Sequence, residues 1–209
     1  MVIAGELLDR LMPFHCLLDP VAEFRALLDA FAGTPARSFL EIGTHRGATS
    51  AAIALVFPAA RIVTVDLPDS LRTVWNPLPR AEVGAAHRAL GVQSRVEQLF
   101  MDSSELWRLA ARGEAFDMIF VDADHSSEAV FRDLILAADL LTGPTAFLLV
   151  HDYTGADESG RPSWTIGVQQ AVDRFLGVRP FRKRRLAGLM LLLEPTWTSS
   201  AFPEWSTPA

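Results

Sequence analysis

The sequence predicts an α/β fold with a doubly wound, Rossmann-like sheet of seven strands, mostly parallel, with helices on both faces and an antiparallel hairpin at its end. Short, almost continuously apolar runs alternate along the chain with segments of helical periodicity. Two further strands follow the last such helix, and the link between them is too short for a parallel crossover. With 209 residues, half of them hydrophobic, the chain is long enough for one sizeable core.

The first predicted element is a helix over residues 20–32. Asp19 is its expected N-cap, Pro20 suits its first position, and apolar side chains recur on one face until Gly33 ends it. A strand over residues 38–42 follows, and from there strands and helices alternate.

The alternating part of the chain follows the pattern of a parallel sheet whose strands are buried on both faces. The further parallel strands are predicted at residues 61–66, 95–100, 116–121 and 146–150. The helices are predicted at residues 47–57, 80–91, 104–111 (capped by Ser103), 126–141 and 166–176. The closing hairpin pairs residues 179–185 with 188–194.

The composition restricts the classes of partner. The net charge is −6, which argues against nucleic acid as the main partner because phosphate binding needs a clustered positive surface. Lys183 is the only lysine, so a mechanism that needs a catalytic lysine has one candidate. Cys16 is the only cysteine, so a reducing, cytoplasmic setting is expected. The N-terminus lacks a signal-peptide pattern, and no apolar run approaches the roughly 20 residues of a membrane span.

Polar side chains follow the predicted strands, where ligands bind in open α/β sheets. The first strand runs into EIGTHRG, residues 41–47, whose two glycines allow a tight turn and close approach of a ligand as a helix begins. This segment is not the dinucleotide-binding G-x-G-x-x-G pattern. Asp66, at the second strand end, can accept hydrogen bonds from ribose hydroxyls, and Asp102 and Ser103, after the third, can contact an adenine edge.

These features together resemble class I S-adenosylmethionine (SAM)-dependent methyltransferases over residues 35–195. FDMIFVDADH, residues 116–125, and LVHD, residues 149–152, are similar to the fourth- and fifth-strand motifs of small O-methyltransferases, the catechol and caffeoyl-CoA types and their bacterial relatives. The resemblance implies a SAM-binding methyltransferase domain (35–195). The periodicity before it predicts an N-terminal helical cap (1–34), and the stretch after it is predicted to be a C-terminal tail containing Trp and Pro (196–209).

The resemblance also implies roles for individual residues. The implied cofactor-binding residues are Glu41, Gly43, Thr44, His45, Gly47, Thr49, Asp66, Asp102, Ser103 and Asp122. The implied metal ligands are Asp122, Asp152 and His151. The expected catalytic residues are Asp122, His151 and His125, of which His125 is expected from the chemistry of its imidazole rather than from the resemblance. The metal-dependent enzymes of the family usually have Asn after the second aspartate and Lys in the fourth-strand motif, where this chain has Tyr153 and His125.

The expected reaction is O-methylation of a small hydroxylated metabolite with divalent-metal assistance. Oxygen ligands from Asp122, Asp124 and Asp152 suit Mg²⁺, with His125 as the general base. If His125 and His151 are ligands instead, a transition metal such as Mn²⁺, Fe²⁺ or Zn²⁺ is favoured.

Other functions remain open from the sequence alone. They are a metal-independent N- or O-methyltransferase that uses His125 and His151, a doubly wound nucleotide-binding oxidoreductase, and a catalytically silent module that binds the cofactor. The expected partner is a small-molecule acceptor, without nucleic acid or membrane, and the expected assembly is a homo-oligomer, with a dimer favoured.

Overall fold

The computed structural model describes residues 5–15, 17, 19–33, 37–73, 77–154 and 164–198. Seven strands form one sheet: β1 Ser38–Ile42, β2 Arg61–Asp66, β3 Val96–Phe100, β4 Met118–Val121, β5 Phe147–Val150, β6 Phe181–Arg185 and β7 Leu191–Pro195. Their order across the sheet is β3-β2-β1-β4-β5-β7-β6. The first five are parallel, and β7 lies antiparallel between β5 and β6. The predicted fold is confirmed.

Helices cover both faces of this sheet. Their bounds are α1 Gly5–Leu11, α2 Pro20–Ala32, α3 Ala48–Val56, α4 Ala85–Ala89, α5 Trp107–Ala111, α6 Ser127–Ala138 and α7 Trp164–Val178. Because side chains alternate along a strand, Phe39 packs into a core with α1 to α4, whereas Leu40 packs into a second core with α5 to α7. Of the helices among the described residues, none has the length and hydropathy of a membrane span.

Several predicted bounds differ from the structure. The helix predicted at residues 80–91 is reduced to α4, because Gly84 precedes it in the left-handed region (φ 66°) and its N–H donates to the carbonyl of His45. The helix predicted from residue 104 begins as a 3₁₀ turn, and its cap is Asp102 rather than Ser103. Helix α1 was not predicted. Of the predicted tail, residues 199–209 lie outside the described part of the chain.

Candidate active site

Two neighbouring clefts lie at the carboxyl ends of the parallel strands. The first, the glycine-loop cleft, is lined by the loop between β1 and α3, by Asp122, and by Phe14, His15 and Leu17 from the segment between α1 and α2. The second, the acidic cleft, is lined mainly by the residues that follow β4 and β5. Asp122 lines both, so the two clefts meet at this side chain.

Two glycines give the glycine-loop cleft its shape. Gly43 has φ 98°, and a Cβ there would lie 2.1 Å from the backbone oxygen of Asp122. Gly47 precedes α3 with φ 77°, and a Cβ there would lie 2.5 Å from Nε2 of His87. A side chain at either position would push the loop away from its neighbours, so both glycines are required by close approach as well as by conformation.

Two threonines of the loop face the same cleft. Thr44 is buried, and among the described residues its hydroxyl has no hydrogen-bond partner. Thr49, in the first turn of α3, is also buried and lines the cleft. A buried hydroxyl without a partner is costly in a folded protein, so the Thr44 hydroxyl offers a bond to a bound ligand.

Glu41 is the buried end of a hydrogen-bonded chain behind the loop. The Ser50 hydroxyl donates to the Glu41 carboxylate at 2.7 Å and lies 2.7 Å from Nε2 of His87. Burial raises the pKa of Glu41 well above its ordinary value; Ser50 opposes this rise, and the negative charges of Asp122 and Asp66 add to it. Burial, followed by the charge of Arg88, lowers the pKa of His87 to about 4.

The low pKa of His87 gives an expected pH dependence of stability. Because the folded pKa lies below the unfolded value of about 6.5, only the unfolded chain takes up the proton between these two values, and stability is lost as pH falls. With a folded pKa of about 4, the loss between pH 7 and pH 5 is about 2 kcal/mol. Chemical denaturation at both pH values should show this loss in the wild type and a smaller loss in His87→Gln. An equal loss in both proteins would contradict the assignment.

Asp66 lies at the end of β2 and is engaged on both oxygens. Its Oδ2 accepts from the backbone N–H of His45 at 2.8 Å, and its Oδ1 accepts from the Arg72 guanidinium at 2.6 Å. A carboxylate has about four acceptor positions, so Asp66 keeps capacity for two further donors, such as ribose hydroxyls. Arg72 was not identified from the sequence, because nothing in its pattern marks it as a partner of Asp66.

Asp102 and Ser103 lie beside Asp66, since the backbone N–H of Met101 donates to the Asp66 carbonyl at 3.0 Å. Asp102 accepts from the backbone N–H of Ser104, a hydrogen bond that lowers its pKa, and the Ser103 hydroxyl accepts from Arg132 at 2.9 Å. Neither cleft is lined by Asp66, Asp102 or Ser103. These residues lie at the carboxyl ends of β2 and β3, on the same side of the sheet as the glycine loop.

Three predicted ligands converge in the acidic cleft. Donor atoms of Asp122, His151 and Asp152 all lie within 4.8 Å of one another. Nδ1 of His151 is 3.2 Å from a carboxylate oxygen of each aspartate, which is ion-pair distance, yet it is buried and out of line for a hydrogen bond to a described residue. The nitrogen thus faces the gap between two carboxylates.

The other side of the His151 ring contacts a residue that sequence reasoning missed. Nε2 of His151 lies 3.2 Å from the carboxylate of Glu23 on α2, which is fully buried. Burial alone would lower the pKa of His151, but Asp122, Asp152 and Glu23 outweigh it and raise the pKa far above 6.5. The signal for this contact in the sequence is a glutamate on the apolar face of α2, among Phe24, Leu27 and Leu28.

His125 lies at the rim of the acidic cleft. Its Nε2 is 2.6 Å from Oδ2 of Asp152, and this hydrogen bond is the main reason that the pKa of His125 is raised. Asp152 itself has φ 58°, and its pKa is lowered because the hydrogen bond from His125 and the positive charge of His151 outweigh burial. Asp124 accepts from the backbone N–H of Ser126 at 2.6 Å and does not join the donor cluster.

The sequence was compared with protein-family models and with curated proteins. A family model described as a methyltransferase domain matches residues 40–153, which is more than half of the chain and includes most of the residues that line the two clefts. No curated protein sequence matches the chain at a significant level.

Solved structures with the same fold include several methyltransferases. An O-methyltransferase from Bacillus cereus in complex with S-adenosylhomocysteine (SAH) is 16% identical, with a TM-score of 0.65 over 93% of both chains. The O-methyltransferase TomG from Streptomyces achromogenes, in complex with SAM, is 22% identical, with a TM-score of 0.66 over 93% of this chain and 92% of that one. An SAH-bound methyltransferase from Podospora anserina is 17% identical, with a TM-score of 0.67 over 94% and 89%.

Proposed function

The chain belongs to the family of proteins with this methyltransferase domain, and from that premise we propose that it is a SAM-dependent O-methyltransferase that acts on a small hydroxylated metabolite with the help of a divalent metal. The observation that carries the proposal is the meeting of the two clefts at Asp122. A methyl donor and an acceptor held on either side of one residue are close enough for the in-line displacement that methyl transfer requires.

The glycine-loop cleft fits the methionine part of SAM. Gly43 and Gly47 let the loop pack directly against Asp122 and His87 and so hold it at one side of the cleft, and the Thr44 hydroxyl has no partner among the described residues. We assign Glu41, His45 and Thr49 to the same contact surface, Asp66 to the ribose, and Asp102 and Ser103 to the adenine. When bound, SAM supplies the electrophilic methyl group.

The acidic cleft fits a divalent metal held by Asp122, His151 and Asp152. Their donor atoms are close together, and the buried Nδ1 of His151 is aimed between the two carboxylates. A donor set that includes imidazole favours Mn²⁺ or another transition metal over Mg²⁺. When bound, the metal supplies positive charge that favours ionisation of the acceptor hydroxyl.

His125 is the group that we assign to remove the acceptor proton. Asp152 engages Nε2 and thereby orients the ring, so Nδ1 is the nitrogen left to take the proton. About two fifths of the His125 side chain is exposed, which leaves it accessible to an acceptor entering the acidic cleft. The ring must be neutral to act as a base. The hydrogen bond to Asp152 orients the ring but also raises its pKa, so a smaller fraction of His125 is neutral at neutral pH.

A metal-independent methyltransferase is the second candidate, and one observation favours it. The raised pKa of His151 means that a protonated imidazole supplies positive charge among Glu23, Asp122 and Asp152 without any metal. A metal would have to replace that proton, since only the neutral ring is a ligand. The two candidates therefore differ in their response to a chelator.

Turnover in the presence of a chelator separates these candidates. Purified protein is incubated with SAM and a panel of catechols and other hydroxylated aromatics, and release of SAH is measured. We expect EDTA to lower turnover at least tenfold, Mn²⁺ to restore it, and Asp152→Asn to abolish it, whereas Asp139→Asn, outside both clefts, should behave as wild type. Turnover unchanged by EDTA would support the metal-independent candidate. SAM binding without turnover of any acceptor would support a silent binding module.

A further inference from the structure

Glu23 is buried in a place where a carboxylate needs a structural or chemical reason. It lies on α2, is 0% exposed, and comes from the part of the chain that precedes the sheet. Burial of a carboxylate is costly unless hydrogen bonds satisfy it, so its partners indicate its role.

Each oxygen of Glu23 has one assigned partner. Oε1 accepts from the backbone N–H of Leu189 at 3.0 Å, in the turn between β6 and β7, and Oε2 lies 3.2 Å from Nε2 of His151. Gly188 closes the space behind the carboxylate, since a Cβ there would lie 2.0 Å from Oε1. Glu23 is therefore held at three points, by α2, by the β6–β7 turn and by the His151 ring.

The geometry of the ring gives this contact a consequence at the metal cluster. The two nitrogens of an imidazole point in fixed, divergent directions, so a bond that fixes Nε2 also fixes the direction of Nδ1. In this structure Nδ1 faces Asp122 and Asp152 at 3.2 Å from each. A carboxylate that accepts from the second ring nitrogen is the usual way in which proteins orient a metal-ligating histidine.

We propose that Glu23 is a positioning residue, which holds the His151 ring through Nε2 so that Nδ1 faces the gap between Asp122 and Asp152. The inference rests on the metal site of the proposed function and adds to it a residue that lies 128 positions from His151 in the sequence. It makes the N-terminal helices part of the active site rather than a separate cover.

Glu23→Gln tests this role because it keeps the shape of the side chain but replaces one acceptor oxygen with an NH₂ donor. Only one of the two terminal atoms of the amide is an acceptor, so Gln cannot accept at both the Oε1 position, which faces Leu189, and the Oε2 position, which faces His151. An NH₂ group facing Nε2 would turn that nitrogen into an acceptor. We expect the dissociation constant for Mn²⁺, measured by electron paramagnetic resonance on the full chain, to rise by roughly 10- to 100-fold. SAH affinity should stay as in the wild type.

The controls separate positioning from a general structural effect. Glu128→Gln, at an exposed site on α6, should leave Mn²⁺ affinity unchanged. In a His151→Ala background, Glu23→Gln should cause no further loss, since Glu23 acts through that ring. If Glu23→Gln does not fold, Glu23→Asp is the second variant. It keeps the negative charge, but its shorter side chain places the carboxylate farther from the His151 ring, so Mn²⁺ binding should weaken in the same way.

Three results would overturn the inference in distinguishable ways. Wild-type Mn²⁺ affinity in Glu23→Gln would remove the role of Glu23 and leave the metal site intact. Additive losses in the double variant would mean that Glu23 does not act through His151. A wild-type protein that binds SAH but no Mn²⁺ would contradict the metal part of the proposed function, and the inference would fail with it.

Discussion

Replacing Asp66 with alanine should lower the affinity for SAH by about a hundredfold or more, equivalent to about 3 kcal/mol. The residue lies at the end of β2 beside the glycine loop, and its carboxylate keeps acceptor capacity beyond His45 and Arg72. Hydrogen bonds to a charged group contribute about 1.5–3 kcal/mol each, and the two ribose hydroxyls would lose theirs together. Calorimetric titration of the purified variant with SAH measures the loss.

The matched variant for this experiment is Asp102→Ala. Asp102 is also a strand-end aspartate, but it is one-third exposed and its hydrogen bond is to the neighbouring Ser104 N–H, so we expect its loss to cost tenfold or less. Asp66→Ala also removes one of the partners of Arg72, which is largely buried. The unfolding free energy of each variant is therefore measured alongside. Equal affinities in Asp66→Ala and the wild type would exclude Asp66 from the cofactor site.

Gly43→Ala should destabilise the fold by about 4 kcal/mol or more and disrupt both clefts. Its Cβ would meet the backbone of Asp122, which cannot move without shifting the end of β4. Gly91→Ala is the matched control, because Gly91 also has a positive φ (72°) but nothing lies within 4 Å of the added Cβ.

The difference in unfolding free energy between these two alanine variants separates the effect of the contact between the added Cβ and the Asp122 backbone from the effect of the left-handed backbone conformation. We expect Gly91→Ala to lower the free energy of unfolding by about 1–2 kcal/mol, which is the effect of the left-handed conformation alone. Urea denaturation of both proteins gives the comparison. Similar losses at the two positions would mean that the loop yields easily and that contact with Asp122 is not a constraint.

The fold could be predicted because its signals are local. Most of the parallel strands are short, largely apolar runs with polar residues at their ends, and the short link between the last two strands allows only an antiparallel pair. Helix bounds were less predictable where the backbone departs from regularity, as at Gly84, whose left-handed conformation shortens α4. Such a departure depends on a partner distant in sequence, here the carbonyl of His45.

The site was predictable in its strand-end residues and not in the residues behind them. Asp122, His151 and Asp152 follow strands β4 and β5, and the structure brings them together. Glu23 and His87 reach their partners only through tertiary packing, from α2 and α4, and no spacing in the sequence joins them to the site. The sequence-based roles of the site residues, the domain limits, the cytoplasmic setting and the dimer remain predictions.

Calorimetric titration of the wild-type protein with SAH tests the central claim most directly, because SAM-dependent methyl transfer requires that the chain bind the cofactor. The account predicts saturable binding of one SAH per chain, together with a higher unfolding midpoint at saturating ligand. Absence of binding heat and an unaltered unfolding midpoint at a large excess of SAH would contradict it.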